Sequence, residues 1–113
     1  MAYLTRGGHM LNLEVWDLAQ LAEFSKIQRV KKDICKTKMF NIVLVCLETG
    51  QEIPPHPEPY DVCFYVIEGQ GTFTTGDKQT DLKAGSMIFT PANSARGIKS
   101  TKRLRVIGIQ EAH

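Results

Sequence analysis

The sequence predicts an all-β fold, a barrel or sandwich of short strands with one short helix near the N-terminus. Its 113 residues suffice for a domain with a hydrophobic core, and 42% of them are hydrophobic and 23% charged, as in ordinary globular proteins. Apolar runs at 42–47 and 62–67 have the length of strands. Glycine, proline and aspartate separate such runs about every 8 to 12 residues, which is typical of β-sandwiches and barrels.

A short helix is predicted to begin after Asp17. The Asp17 side chain can accept hydrogen bonds from the first helical turn, and Gln20 follows three residues later, as in a capping box. Leu18 and Leu21 then repeat at helical spacing. We expect this helix to end near Phe24.

Every element after the helix is predicted to be a strand. The predicted strands cover residues 41–48, 61–68, 70–75, 78–82, 86–90 and 104–110. Gly76 and Asp77 form a two-residue loop that favours a tight hairpin, whereas Pro54 and Pro55 interrupt the chain between strands. Because no linker or repeat divides the chain, we expect a single domain at 11–113, preceded by a tag remnant or a disordered leader at 1–10.

The charge and the apolar runs argue against nucleic-acid and membrane partners. The net charge is only +2, and the basic run at 26–38 contains no aromatic residue that could stack on bases. Its lysines are expected to protect an edge strand from pairing with other chains. No apolar run approaches the roughly 18 to 20 residues that a membrane-spanning helix needs.

The cysteines indicate a reducing compartment. Cys35, Cys46 and Cys63 form no close pair, and their odd number fits free thiols better than a disulfide framework. Because Cys46 and Cys63 lie in apolar runs, we expect structural thiols. The chain is therefore predicted to be cytoplasmic.

The most informative region begins at Gly50. From there the chain runs Gly50, five residues, His56, one residue, Glu58, three residues, Val62 and, six residues later, Gly69. This spacing resembles the first motif of the cupin superfamily, in which a glycine leads to His-x-His, a glutamate and a second glycine. The residues at 64–71 are similar to the strand and turn that end that motif.

A second motif follows at Gly85. Gly85 and Pro91 stand in the family's register, Asn93 occupies the position of its second glycine, Arg96 that of its histidine and Ser100 that of its asparagine. Asn93 is compatible because Asn enters the left-handed backbone region that a turn requires. The resemblance covers residues 40–109 and implies a small single-domain cupin, a double-stranded β-helix in the form of a jelly-roll barrel.

The resemblance also implies where a metal would lie, and this chain has lost part of that site. The four ligand positions of metal-binding cupins are occupied here by His56, Glu58, Val62 and Arg96. Val62 cannot coordinate and Arg96 would repel a cation, so we favour no metal cofactor and expect the protein to purify without one. A divalent transition metal on His56 and Glu58 is the alternative.

Arg96 and Glu58 allow two interpretations that do not exclude each other. Their guanidinium and carboxylate can form a buried ion pair in the place of the metal. In the other interpretation Arg96 binds the anionic group of a ligand, and Val62, Phe64 and Val66 form an apolar wall on the same strand face.

These observations favour a small-molecule-binding cupin with a degenerate metal site. We expect it to hold an anionic or sugar-like ligand in the barrel, bound by His56, Glu58, Arg96, Val62, Phe64 and Val66. The alternative is an enzyme, either a metal-dependent oxygenase or isomerase with a reduced ligand set or a metal-free isomerase with His56 and Glu58 as catalytic residues. The sequence leaves binding and catalysis both open, together with a third alternative, a structural or regulatory subunit whose barrel binds nothing.

The resemblance further implies a homodimer. Cupins commonly pair through N-terminal strands and sheet faces. In this chain Trp16, Phe24 and an edge strand at 29–33 are expected to form that contact.

Overall fold

The computed structural model describes the backbone of residues 2–4 and 10–113, and the side chains from residue 13 onward. Its elements are the strands β1 (Ala2–Leu4) and β2 (Met10–Asn12), the helix α1 (Leu18–Leu21), and the strands β3 (Val30–Lys36), β4 (Phe40–Leu47), β5 (Glu52–Pro57), β6 (Val62–Thr75), β7 (Lys78–Lys83), β8 (Met87–Thr90) and β9 (Ala95–Glu111). The predicted all-β class with one short helix is confirmed.

The N-terminal helix begins where the sequence predicts and ends early. The Asp17 carboxylate accepts hydrogen bonds from the backbone N–H groups of Ala19 and Gln20, as expected of a capping residue. The helix ends at Leu21, because Ala22 already has an extended backbone, so the predicted end near Phe24 is wrong.

Two long strands, β6 and β9, form the spine of the barrel. They pair antiparallel along almost their whole length, with shifts of register near Glu68 and Gln70. β8 pairs with the first half of β6 and β7 with its second half, while β4 pairs with the last half of β9 and β5 with its first half. The seven-stranded sheet therefore has two halves that share β6 and β9. One half also contains β8, β4 and the edge strand β3, and the other contains β7 and β5.

The strand β5 was missed by the sequence analysis, which took Pro54 and Pro55 as an interruption. Pairing with β9 runs through Glu52 and Ile53, skips the two prolines at a shift of register, and resumes at His56. Proline has no backbone N–H to donate, so it is tolerated only at a strand edge or a bulge. The prolines bend this edge strand without ending it.

The core lies on the inner faces of β4, β6 and β9. It is formed by Val43, Val45, Leu47, Val62, Phe64, Val66, Phe73, Ile98, Leu104 and Val106. Along β6 these residues alternate with more exposed ones, as the pleat of a strand requires, whereas on β4 the intervening Leu44 and Cys46 are buried as well. One end of this core borders a cavity that contains the second-motif arginine.

The predicted leader at 1–10 stays a prediction. Residues 2–4 and 10–12 pair as a two-stranded antiparallel sheet, whereas residues 1 and 5–9 lie outside the described residues. Within the described chain, no helix is long and apolar enough to cross a membrane.

Candidate functional site

A cavity of about 200 Å³ opens between the edge strand β3, the proline-containing strand β5 and the inner faces of β4, β6 and β9. It is lined by Arg29, Val30, Lys31, Val43, Val45, Ile53, His56, Tyr60, Phe64, Arg96 and Gln110. Arg29, Lys31 and His56 are exposed and form its rim. Arg96 and Gln110 are buried with the apolar residues at its floor.

Arg96 is held at the floor of the cavity by backbone carbonyl groups. It is only 4% exposed. Its Nη1 donates to the Tyr60 carbonyl oxygen at 2.7 Å, and its Nη2 donates to those of Pro91 and Ser94, both at 3.1 Å, and of Glu58 at 3.3 Å. The guanidinium thus connects the loop after β5 to the loop before β9.

The predicted ion pair between Arg96 and Glu58 is wrong. Arg96 binds the backbone carbonyl of Glu58, whereas the Glu58 carboxylate lies against His56, with 3.2 Å between Oε1 and the ring Nε2. No carboxylate of the described residues forms a salt bridge with Arg96, and its Nε has no hydrogen-bond partner among them. Among the described residues, the buried charge is therefore stabilised mainly by carbonyl dipoles, with no carboxylate to pair it.

His56 and Glu58 form a half-exposed pair at the rim. The Nδ1 of His56 is 2.9 Å from the Pro54 carbonyl oxygen, so the ring is held on both sides by acceptor oxygens. His56 also pairs across strands with Arg96, which confirms that the two motifs meet on neighbouring strands. Of the two residues, only His56 lines the cavity.

The predicted apolar wall is divided between the cavity and the core. Val62, Phe64 and Val66 share the inner face of β6 and are all buried. Phe64 lines the cavity, whereas Val62 and Val66 lie within the core cluster behind it. The role of all three in ligand binding stays a prediction.

Four polar residues of the cavity lining were not among the predicted site residues: Arg29, Lys31, Tyr60 and Gln110. Arg29 directly precedes β3 and Lys31 is its second residue. Their two-residue spacing within the basic run was the available signal, although the run was interpreted as protection of an edge. Tyr60 and Gln110 carried no such signal. Each reaches the cavity through the tertiary fold.

Tyr60 connects Arg96 to the end of the described chain. Its ring stacks on that of His113, with 3.9 Å between the ring centroids, and the Arg96 guanidinium lies 5.1 Å from the Tyr60 centroid. Burial raises the pKa of the Tyr60 hydroxyl, the Glu58 carboxylate adds to the rise, and Arg96 opposes it. The hydroxyl therefore remains a neutral donor at physiological pH.

The residues at the family's metal positions do not suit a cation. His56 and Glu58 contact each other, Val62 is buried in the core, and Arg96 places a fixed positive charge at the fourth position. Among the described residues, no three His, Cys, Asp or Glu side chains converge as a metal site requires. A divalent ion would meet two donors and one guanidinium, which is a poor ligand set.

The cysteines supply no nucleophile to this cavity. None of the three lines it, and Cys46 is fully buried on β4. Burial raises the pKa of the Cys46 thiol, despite a backbone hydrogen bond from Glu23 and nearby positive charges that lower it. A protonated buried thiol behaves as a small apolar side chain.

The fold and the site define a class of protein: a small antiparallel barrel with a cavity that the two motif strands β5 and β9 help to line. The family model described as the cupin domain matches residues 43–109, more than half of the chain. This protein therefore belongs to the cupin family. None of the proteins with curated functions matches the chain.

Solved structures support the same fold. A cupin protein from Desulfovibrio desulfuricans described as RmlC-like has a TM-score of 0.81 and 21% identity, and the match covers 88% of this chain and 97% of that one. A protein from Thermus thermophilus has a TM-score of 0.83 and 22% identity, covering 88% and 98%. A Klebsiella pneumoniae protein with a double-stranded β-helix domain has a TM-score of 0.79 and 19% identity, covering 89% and 90%. At these identities the likeness shows the fold alone.

Proposed function

We propose that this cupin binds an anionic or sugar-like small molecule in the cavity between β3, β5 and β9. The observation that carries the proposal is the charge of the lining. Arg29, Lys31 and Arg96 line the cavity, and no aspartate or glutamate is among the described residues that do. An anion in the cavity would meet the uncompensated guanidinium of Arg96 in a site of low dielectric, where such an attraction is strongest.

The shape of the site supports the same proposal. Ligand sites are usually concave and mostly apolar, with a few converging polar groups. Here Val43, Val45 and Phe64 form the apolar part, and the cations stand at the rim and at the floor. Rim charges that remain exposed also raise the rate at which an anion reaches the cavity, an effect that added salt weakens.

The proposal is tested by thermal unfolding with small acids and their neutral analogues at constant ionic strength. A ligand that binds only the folded state stabilises it in proportion to the logarithm of its concentration over Kd. We expect benzoate to raise Tm and benzyl alcohol to leave it almost unchanged. Equal shifts with the acid and the alcohol would show that the cations do not recognise the ligand.

A matched pair of variants assigns the effect to the cavity. Lys31→Gln removes a lining charge on β3, whereas Lys36→Gln removes a charge from the same strand outside the cavity lining. Both variants change the net charge of the protein by the same amount. The benzoate shift should fall in the first and persist in the second, and equal losses would indicate a general charge effect.

A second candidate function is metal-free proton transfer by His56 and Glu58. The 3.2 Å contact between them, with the His56 ring held by Pro54, favours it over metal-dependent chemistry, for which the donor set is poor. In D₂O such a dyad would accelerate exchange of the methyl protons of pyruvate for deuterium, observed by NMR. Loss of that acceleration in His56→Gln would support catalysis, and exchange at the buffer rate would contradict it.

We also propose a homodimer. Within the described sheet, β3 pairs only with β4 and leaves its other edge open, and Trp16 is 42% exposed. Phe24, the other predicted contact, is covered by the Arg103 guanidinium at 3.6 Å. A further apolar surface is formed on the outer sheet face by Tyr65, Met87, Phe89 and Ile109, all at least 39% exposed, and such a surface favours self-association.

Light scattering tests the assembly. We expect a mass of twice 12.7 kDa, and a monomer mass at micromolar concentration would contradict the dimer. Trp16→Ser and Phe89→Ser show which of the two surfaces forms the contact.

The free state of Cys35, Cys46 and Cys63 supports the proposal that the protein works in a reducing compartment such as the cytoplasm.

A further inference from the structure

The lining of the cavity is specific enough to name a ligand class. Resting on the proposed function, we infer that the ligand is a small carboxylic acid whose apolar body is about the size of an aromatic ring. Benzoate represents this class, as do branched aliphatic acids of similar volume. Three properties of the cavity support the inference: its volume, the hydrogen-bonding character of its polar side chains, and its apolar walls.

The volume favours a ligand of about eight to ten heavy atoms. The cavity measures about 200 Å³. An apolar protein cavity of about 150 Å³ holds one benzene molecule, and sites for drug-sized ligands begin near 300 Å³. The present cavity therefore accepts one ring or a branched chain together with a carboxylate, and it is too small for a disaccharide or a nucleotide.

Of the six polar side chains of the lining, three are donors without an acceptor atom, and the Tyr60 hydroxyl can donate or accept. Arg29, Lys31 and Arg96 only donate hydrogen bonds. The one amide oxygen, Oε1 of Gln110, already contacts His113 at 3.1 Å, and both ring nitrogens of His56 are engaged. A carboxylate, which only accepts, fits this set, whereas a sugar would bury several hydroxyl donors beside few free acceptors.

The apolar walls require an apolar body on the acid. Val43, Val45 and Phe64 are each at most 7% exposed, and Ile53 packs beside them. Inorganic phosphate or acetate would engage the cations and leave these walls in contact with water. A ring or a branched chain would cover them, and each additional buried carbon would strengthen binding.

Isothermal titration of the full chain at constant ionic strength tests the inference with four probes. The probes are benzoate, acetate, glucuronate and inorganic phosphate. Benzoate and acetate share a carboxylate and differ in the apolar body, whereas glucuronate replaces the ring by hydroxyl groups. Because each methylene in an apolar pocket contributes about tenfold or more in affinity, we expect the Kd of benzoate to be at least about tenfold below those of the other three.

The outcomes separate this inference from the proposed function. If acetate, glucuronate or phosphate binds as tightly as benzoate and Lys31→Gln weakens it, the anion site stands and the ligand class is wrong. If none of the four probes binds at concentrations up to about 10 mM, any affinity is weaker than that of a specific site. Both the ligand class and the proposed function are then wrong. Tighter binding of benzoate alone supports both.

A cavity-filling variant supplies an independent check. Ile53 lines the cavity and is only partly buried, so the larger side chain of Ile53→Phe can extend into the cavity. We expect at least about a tenfold loss of benzoate affinity, because the added ring occupies the space of the ligand. An unchanged benzoate Kd in a folded variant would overturn the assignment, and the probe series on the wild-type chain decides the matter if this variant does not fold.

Discussion

Replacement of Arg96 by methionine should destabilise the protein strongly, for a reason different from the loss of an ion pair. The variant keeps most of the apolar stem and removes the guanidinium. Of the four carbonyl oxygens that accept from it, that of Glu58 also accepts from the N–H of Asn93 at 2.7 Å and that of Pro91 from the N–H of Ser94 at 3.2 Å. Within the described part of the chain, the carbonyls of Tyr60 and Ser94 have no second backbone donor.

The magnitude follows from those two carbonyls. A buried acceptor without a partner destabilises a protein by about 1–3 kcal/mol. Arg96→Met should therefore lower the free energy of unfolding by about 2–6 kcal/mol, with the lower end reached if water enters the cavity. Glu58→Gln changes a half-exposed contact with His56 and should lower it by no more than about 1 kcal/mol.

Urea unfolding of the two single variants and the double variant measures both effects. Because the carboxylate of Glu58 does not contact Arg96, the two changes should add to within about 0.5 kcal/mol. An interaction energy well above about 1 kcal/mol would instead show that Arg96 and Glu58 form a buried ion pair. A loss below about 1 kcal/mol in Arg96→Met would show that the carbonyl contacts of the arginine do not stabilise the loops.

Three further predictions concern metal content, backbone and pH. Elemental analysis of untagged protein should find no stoichiometric transition metal, and one equivalent would contradict our interpretation of the ligand positions. Gly69 and Gly50 both have positive φ, but a Cβ at Gly69 would meet a β9 carbonyl oxygen at 1.9 Å while one at Gly50 meets nothing within 4 Å. Gly69→Ala should therefore destabilise by about 2 kcal/mol more than Gly50→Ala in urea unfolding. Burial raises the pKa of Cys46 above 9.0 and that of Tyr60 above 10.0, so both groups lose their protons at lower pH in the unfolded state than in the folded state. The free energy of unfolding should therefore fall as the pH rises through this range. The fall should be less steep in Tyr60→Phe.

The sequence predicted the strands and turns because their signals are local, whereas the jelly-roll barrel was implied by the resemblance to the cupin motifs. Gly69 and Gly85 have the positive φ that their turns require, and Asn93 has a φ of 70°, as expected of asparagine at a glycine position. The Gly76 hairpin joins β6 to β7 as predicted. Such residues determine the backbone through their own stereochemistry, so a single sequence is sufficient to place them.

The site was only partly predictable because its contacts depend on side-chain geometry across loops. The register of the motifs placed Arg96 and His56 on neighbouring strands. It did not indicate that Arg96 would bind backbone carbonyls, which any sequence offers, or that Glu58 would face His56. Strand β9 extends to 95, well before its predicted start at 104, because pairing with β5 and β6 supports a segment of ordinary propensity.

The most direct test of the central claim, that this cavity binds a small anion, is to map benzoate binding by NMR on the isotope-labelled chain. We expect saturable shifts of the amide and methyl signals of Val43, Val45 and Ile53, which line the cavity on two different strands. The signals of Lys36, which lies on β3 outside the cavity lining, should not shift. Shifts confined to the exposed lysines, or no saturable shift anywhere, would contradict the claim.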